Sequence, residues 1–106
     1  MFIINGEAWR LTIVSPFHPM LQRPDGNYAV GACDDNYKTI FMSDELTGPF
    51  FWEVLAHEIT HAAMFSYNIT IDYDTEELIA NLIAKYGQEI TTITDVLFKD
   101  IQMGYQ

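Results

Sequence analysis

The sequence predicts an α+β fold, in which a small N-terminal antiparallel β-sheet precedes a helix with the candidate site and two further helices. Before position 43, short runs of β-branched and aromatic residues alternate with turn residues. From Pro49 onward, apolar residues recur at spacings of three and four, as on one face of a helix. The chain has 106 residues, 49% of them apolar, which is enough for the core of one small domain over residues 1–106.

Three strands are expected in the front half. Residues 9–14 are rich in β-forming types, and the prolines and the Asp-Gly-Asn turn that follow them indicate a long irregular connection. Residues 28–33 and 37–42 flank the short polar segment 34–36. Two β-prone runs around such a turn predict a hairpin.

The first helix is expected over residues 49–66. Thr47 or Ser43 is a suitable N-cap, and Pro49 suits the first turn. Asn68 lies near the expected C-terminal end of this helix.

Two more helices are expected after residue 73. The second begins near Asp74 or Thr75 and ends at Gly87, a residue type that commonly terminates helices. Its apolar stripe consists of Leu78, Ile79, Leu82, Ile83 and Tyr86. The third is indicated by apolar residues at helical spacing, although three threonines weaken the pattern; these apolar residues are Ile90, Ile93, Val96, Leu97 and Ile101.

The charge balance argues against nucleic acid as a partner. Fifteen acidic and five basic residues give a formal net charge of −10, which repels phosphate and attracts basic protein segments. Cys33 is the only cysteine, so an internal disulfide is excluded and a reducing, cytoplasmic compartment is expected. The N-terminus lacks a secretory signal pattern. The most apolar stretch is interrupted by charged and histidine residues, so no membrane span is expected.

The segment His57-Glu58-Ile59-Thr60-His61 places two histidines one turn apart on the same side of the first expected helix. Two imidazoles at this spacing can bind one Zn²⁺ ion. Glu58 faces the same cleft from one flank, where its carboxylate can act as a base toward a zinc-activated water. This H-E-x-x-H pattern is typical of zinc peptidases. In the alternative interpretation both histidines are ordinary half-buried residues.

A catalytic zinc ion usually has three protein ligands, so one more must come from elsewhere in the chain. No histidine follows His61, and His18 lies far upstream in a proline-bounded loop. The acidic residues Glu76 and Glu77, at the start of the next expected helix, are the natural candidates. Glu77 fits best, and Glu76 is the alternative ligand.

The choice of Glu77 depends on the face that it occupies. Glu77, Ala80, Asn81 and Ala84 lie on one side of the second expected helix. This face is rich in small residues, so the helix can approach the histidine helix closely. In a competing interpretation, Asp74 caps this helix and Glu77 is the third residue of a capping box.

The sequence H-E-I-T-H followed by E-E-L-I-A-N-L-I-A resembles the minimal gluzincins of the ImmA/IrrE type, which occur in phages, mobile elements and bacteria. The resemblance covers about residues 37–87. It implies that His57, His61 and Glu77 bind zinc and that Glu58 is the general base. The chain differs at Thr60, where that family usually has glycine, and at Lys85-Tyr86-Gly87, where a Leu-Leu-Met-Pro-like ending is common.

The expected function is hydrolysis of a peptide bond in a protein or peptide substrate. Donors for the oxyanion are sought among Tyr67, Tyr73 and His18, each of which is also explained by a structural role. The strand over residues 37–42 can offer an edge to an extended peptide, or it can be a plain core strand. The alternative function is a non-catalytic zincin-fold protein, for example a phage-encoded inhibitor, that binds a basic partner through its acidic surface.

Three further features have both a structural and a functional interpretation. Glu53, one turn before His57, is either a hydrogen-bond partner for an imidazole or a solvated helix acid. Cys33 is either a buried small residue or a zinc ligand. The aromatic cluster of residues 50–52 is expected in the core rather than at a substrate platform.

Overall fold

The computed structural model describes residues 1–104 and has the α+β class that the sequence predicts. Four strands come first: β1 (Phe2–Ile4), β2 (Glu7–Val14), β3 (Gly31–Asp34) and β4 (Thr39–Ser43). A single 3₁₀ turn at Pro19–Leu21 interrupts the connection between β2 and β3. Two helices follow, α1 (Gly48–Ser66) and α2 (Tyr73–Gln102).

The N-terminal hairpin of β1 and β2 is absent from the sequence prediction. Asn5 and Gly6 connect the two strands with φ values of 48° and 76°. Two successive residues at positive φ form the turn that matches the twist of paired strands, and Asn-Gly is its usual sequence. The strand predicted over residues 9–14 therefore extends back to Glu7 and has an antiparallel partner.

The sheet is mixed, not antiparallel as predicted. Its strand order is β1-β2-β4-β3, and β2 pairs with β4 in parallel. A parallel pair needs a long crossover connection, and the proline-containing segment after Val14 together with β3 supplies it. The sequence indicated the strands but not the direction in which the chain returns.

The predicted hairpin of β3 and β4 is confirmed, with β3 beginning at Gly31. Because β4 pairs with β2 on one side and β3 on the other, it offers no free edge. The prediction that β4 could receive an extended peptide at its edge is therefore wrong. The core lies between this sheet and α1, and its buried members are Trp9, Ile40, Met42, Leu46, Val54 and Ala62.

Two side-chain hydrogen bonds connect the N-terminal hairpin to the end of α1. The indole Nε1 of the fully buried Trp9 donates to the Ser66 hydroxyl oxygen at 2.7 Å. The side-chain amide of Asn5 donates to the Ser66 carbonyl at 2.9 Å. These bonds satisfy a polar atom that would be costly to bury alone, and they fix the orientation of α1 against the sheet.

Helix α1 has the bounds that its apolar spacing predicts, with Pro49 in its first turn. Thr47 is the N-cap, but its side chain makes no capping hydrogen bond. At the other end Asn68 has a left-handed φ of 55° and ends the helical path.

Helix α2 replaces the two helices predicted after residue 73. It continues through Gly87, so the predicted stop at this residue is wrong. Its N-cap is Asp72, whose side chain accepts hydrogen bonds from the Thr75 backbone N–H at 2.9 Å and from the Thr75 hydroxyl at 2.7 Å. These hydrogen bonds lower the pKa of the Asp72 carboxyl. Asp74 is therefore inside the helix, and Glu77 is not the third residue of a capping box.

The second half of α2 has no packing partner among residues 1–104. Every residue of the helix from Gln88 onward is exposed. Over the same described residues, no helix combines the length and the apolar composition needed to cross a membrane.

Candidate metal centre

The two helices bring the candidate ligands together. His57, Glu58 and His61 lie in the middle of α1, while Glu77 lies in the first turns of α2. Ala80 and Ala84 are buried at 0% and 6% exposure, which allows the close helix approach that the small-residue face predicts.

Three ligand atoms converge between the helices. His61 Nε2 is 3.1 Å from His57 Nε2 and 2.7 Å from one Glu77 carboxylate oxygen. The other Glu77 oxygen is 3.5 Å from His57 Nε2. Ligands at about 2.0–2.1 Å from a shared tetrahedral ion would be separated by about 3.3 Å. The three side chains therefore form a group that can hold a metal ion with little rearrangement.

Glu76 has a different place from its neighbour Glu77. One of its carboxylate oxygens is 2.6 Å from His61 Nδ1, on the side of the ring away from the converging atoms. With its proton on Nδ1, His61 donates to Glu76 and keeps the Nε2 lone pair for a metal ion. A carboxylate behind a ligating histidine is a recurrent feature of metal sites, because it fixes the ring and raises the basicity of the ligand.

Glu58 is the most buried carboxylate of the site, with 8% exposure. Burial raises the pKa of its carboxyl, and the repulsion from Glu77 acts in the same direction. The nearby His57 and His61 oppose this shift by favouring the charged form. A carboxyl with a raised pKa beside a candidate metal group has the properties of a general base.

An open cleft of about 240 Å³ lies beside the ligands. Its walls come from α1, from the start of α2 and from the segment that leads into β3; among them are Arg23, Val30, Gly31, Phe50, Glu53 and Asn81. Gly31 is placed where a Cβ atom would lie 2.7 Å from Val54 Cγ1 and 3.2 Å from Glu58 Cγ. The absence of a side chain at this position therefore lets β3 approach the helix at Glu58.

Arg23 is a residue of the cleft that the sequence analysis did not select. It follows the 3₁₀ turn and lines the cleft together with His57 and Glu58. Its position depends on the path of the irregular segment between β2 and β3, for which the sequence has no periodic signal. In the sequence, its charge within a proline-containing loop was the only indication that it could belong to the site.

The three donors proposed from the sequence are in different surroundings. Tyr73 lines the openings around His61 and Glu77. His18 Nδ1 accepts a hydrogen bond from the Met20 backbone N–H at 3.1 Å, and its ring stacks on Phe41. Tyr67 is the C-cap of α1 and does not line the described openings around the ligands. Only Tyr73 is brought to the site.

The remaining candidate residues also differ in their surroundings. Glu53 lines the cleft next to His57, but no hydrogen bond joins the two within the described part of the chain. Cys33 packs against the core and lines the opening near His61, and burial raises the pKa of its thiol to about 12. Of the aromatic cluster, Phe51 packs against the core, whereas Phe50 and Trp52 are exposed.

The site thus contains two imidazoles and a carboxylate whose ligand atoms lie within 4.8 Å of one another and could hold a metal ion. A second carboxylate lies behind one imidazole, and a buried carboxyl lies beside the group. Comparison of the chain with protein-family models, with curated proteins and with solved structures finds no match.

Proposed function

We propose that the protein is a zinc-dependent metallopeptidase with His57, His61 and Glu77 as ligands and Glu58 as general base. The observation that carries this proposal is the convergence of His57 Nε2, His61 Nε2 and a Glu77 oxygen next to the buried Glu58 carboxyl. Two imidazole nitrogens and a carboxylate oxygen that point at one another are arranged as the ligands of a single ion would be. That this chain belongs to the ImmA/IrrE-like gluzincins stays a prediction from the motif.

Zinc is the ion that this donor set fits best. Two imidazole nitrogens and one carboxylate oxygen are borderline ligands, whereas Mg²⁺ and Ca²⁺ prefer sites built from oxygen alone. Three protein ligands leave one position open, as in catalytic zinc sites.

The chain's own residues supply the proton transfers of the proposed hydrolysis. A bound zinc ion would supply a Lewis acid that polarises the scissile carbonyl and acidifies the attacking water. Glu58 accepts one proton of that water as the new C–O bond forms, and it passes this proton to the amine nitrogen as the C–N bond breaks. Tyr73 and Arg23 are the donors beside the cleft that are available to the oxyanion.

The neighbouring strand suits a peptide substrate. β3 is the edge strand of the sheet next to the cleft, and no strand within residues 1–104 pairs with its outer side, so an extended peptide could pair there. The carboxylates of Glu53 and Glu77 line the cleft. Among the residues described there, Arg23 is the only lysine or arginine. A bound zinc ion would offset the charges of Glu77 and Glu58, so Glu53 is the carboxylate left on the cleft wall to attract a basic side chain of a peptide.

The test is cleavage of a peptide library by zinc-loaded protein and by the matched Glu58→Gln variant. Loss of the base is expected to lower the cleavage rate by about 10²–10⁴-fold, while the zinc content stays unchanged. Equal cleavage by both proteins would contradict the assignment of Glu58. Zinc binding without cleavage of any peptide would favour the alternative function, a non-catalytic interaction protein.

A further inference from the structure

Helix α2 carries an apolar stripe that runs far beyond the part of the helix packed on α1. Its members recur at alternating spacings of four and three residues: Ile79, Ile83, Tyr86, Ile90, Ile93 and Leu97. This is the heptad spacing of helices that pack side by side. The stripe lies on a different face from Ala80 and Ala84, which are buried against α1.

From Ile83 onward the stripe is open to solvent, with Ile90, Ile93 and Leu97 each more than half exposed. Val96 and Ile101 flank it and are equally exposed. Together with Leu82 and Tyr86, these side chains present apolar surface on the order of 800 Å², comparable to one partner's share of a standard protein interface. Such a patch is larger than monomeric proteins usually leave uncovered.

The sequence of this half-helix also indicates that something covers it. A helix of about fifteen residues without tertiary contacts is marginal in water. Thr91, Thr92 and Thr94, together with the β-branched apolar residues, lower the helix propensity further. The helical conformation from Gln88 to Gln102 would therefore be stabilised by the packing of a partner.

We propose that the partner is a second copy of this chain and that the two α2 helices pair antiparallel through the stripe. A heptad stripe is complementary to itself, and two copies would cover the whole area at once. The next heptad position after Leu97 is occupied by Asp100. In a parallel pair in register, two Asp100 carboxylates would face each other at a buried seam, which is unfavourable.

The antiparallel arrangement removes this conflict. When the pairing is centred on Ile93, Tyr86 of each copy comes level with Asp100 of the other copy, since both lie seven residues from Ile93. The Tyr86 hydroxyl can then donate a hydrogen bond to the Asp100 carboxylate at both ends of the interface. An anionic membrane is a poorer occupant, because the chain carries a net charge of −10. This proposal does not depend on the proposed zinc chemistry.

The first test compares Ile93→Glu with Thr92→Glu by sedimentation equilibrium. The wild type and Thr92→Glu are expected at twice the chain mass of 12.2 kDa, since Thr92 lies away from the stripe. Ile93→Glu adds the same charge one residue along and is expected to weaken association at least about tenfold. Tryptophan fluorescence of the buried Trp9 reports whether each variant is folded. The proposal would be overturned by a wild type that is monomeric throughout a dilution series from about 1 to 100 μM. A dimer that Ile93→Glu leaves unaffected would also overturn it.

The second test addresses the orientation. In a Cys33→Ser background, Tyr86→Cys protein mixed with Asp100→Cys protein is expected to form a disulfide-linked dimer, because these two positions face each other only in the antiparallel pair. Asp100→Cys protein that forms a linked dimer with itself and not with Tyr86→Cys protein would overturn the antiparallel arrangement. Binding of the wild-type monomer to vesicles of phosphatidylcholine would overturn the assignment of a second copy as the occupant.

Discussion

The Glu58 carboxyl is buried beside two histidines, and burial raises its pKa. A carboxyl whose pKa is higher in the folded than in the unfolded state stabilises the fold at low pH, and this contribution is lost as the pH rises through the folded-state pKa. Burial of this carboxyl therefore makes the metal-free protein less stable at neutral pH than it would be with an uncharged side chain of the same size at this position.

Glu58→Gln is accordingly expected to raise the melting temperature of the metal-free protein at pH 7, because the amide carries no charge to desolvate. The difference from the wild type is expected to shrink as the pH falls toward the ordinary glutamate value of 4.5. Thermal unfolding followed at several pH values measures both effects. A variant less stable than the wild type at pH 7 would contradict this account of Glu58.

The adjacent residues Glu76 and Glu77 differ in the atoms that they contact, and matched amide variants separate their roles. Glu77→Gln removes a proposed ligand, so its zinc affinity is expected to fall by more than the roughly 10–100-fold typical of residues behind a ligand. Glu76→Gln weakens only the support of His61 Nδ1 and is expected within that range. Titration against a zinc-chelating dye provides the two dissociation constants. A larger loss for Glu76→Gln would exchange the two assignments, and equal losses would contradict the distinction between them.

At the scale of single residues, the sequence was informative where spacing determines position. His57 and His61 lie on one side of a helix whatever the rest of the chain does, and the small-residue face beside Glu77 predicted a close helix approach. The hydrogen bond of Glu76 to His61 was not predictable. It depends on how α2 is rotated about its axis when Ala80 and Ala84 pack, and on the rotamer of Glu76, neither of which the spacing along the chain determines.

The contact between strand β3 and helix α1 depends on Gly31. A Cβ atom at this position would meet Val54 Cγ1 at 2.7 Å, so Gly31→Ala is expected to destabilise the protein by about 1–3 kcal/mol. Because the same atom would also press on Glu58 Cγ at 3.2 Å, activity is expected to fall with stability. Chemical denaturation measures the first effect.

The double variant Gly31→Ala with Val54→Ala provides the control. Removing Val54 Cγ1 makes room for the new methyl group, so the combined loss is expected to be smaller than the sum of the two single losses. Strict additivity would show that the contact does not determine the cost.

Gly87 distinguishes one long helix from two. In the interior of α2 it lacks a positive φ, and a Cβ atom would lie 3.3 Å from Cγ2 of the exposed Ile83. Gly87→Ala is therefore expected to stabilise the protein by about 0.5–1 kcal/mol through helix propensity. Urea unfolding of the variant checks the sign. A marked loss of stability would instead agree with a helix that ends at Gly87.

At the scale of elements, apolar periodicity predicted the bounds of α1 and the hairpin of β3 and β4. It did not predict that β2 and β4 run parallel, because strand direction depends on the path of the irregular segment between them. The break predicted at Gly87 was wrong because glycine is tolerated inside a helix at modest cost. The Asn5-Gly6 turn was readable from the sequence, although the prediction omitted it.

At the scale of the whole molecule, a small sheet and one helix form a compact body from which α2 projects. The principal extents are 56 × 30 × 28 Å, and a helix of 30 residues accounts for about 45 Å of the longest one. The first turns of α2 complete the candidate metal centre, while its far half carries the apolar stripe. One element thus connects the proposed catalytic site with the proposed dimer interface.

The net charge of −10 is also a property of the whole molecule. It is the basis of the prediction that nucleic acid is not a partner, and it also favours binding of divalent cations in general. Specific zinc binding must therefore be separated from loose association with acidic side chains. Variants of the three proposed ligands provide this separation, because they change the total charge little or not at all.

The most direct test of the account is the zinc content of the protein purified without chelators and dialysed in high salt. We expect one zinc ion per chain for the wild type and for Glu58→Gln, and a large loss of zinc for His57→Ala and Glu77→Gln. Plasma emission spectrometry on the dialysed samples measures the stoichiometry. Wild-type protein without zinc, or His57→Ala protein that retains one zinc ion per chain, would contradict the central claim that these side chains form a zinc site.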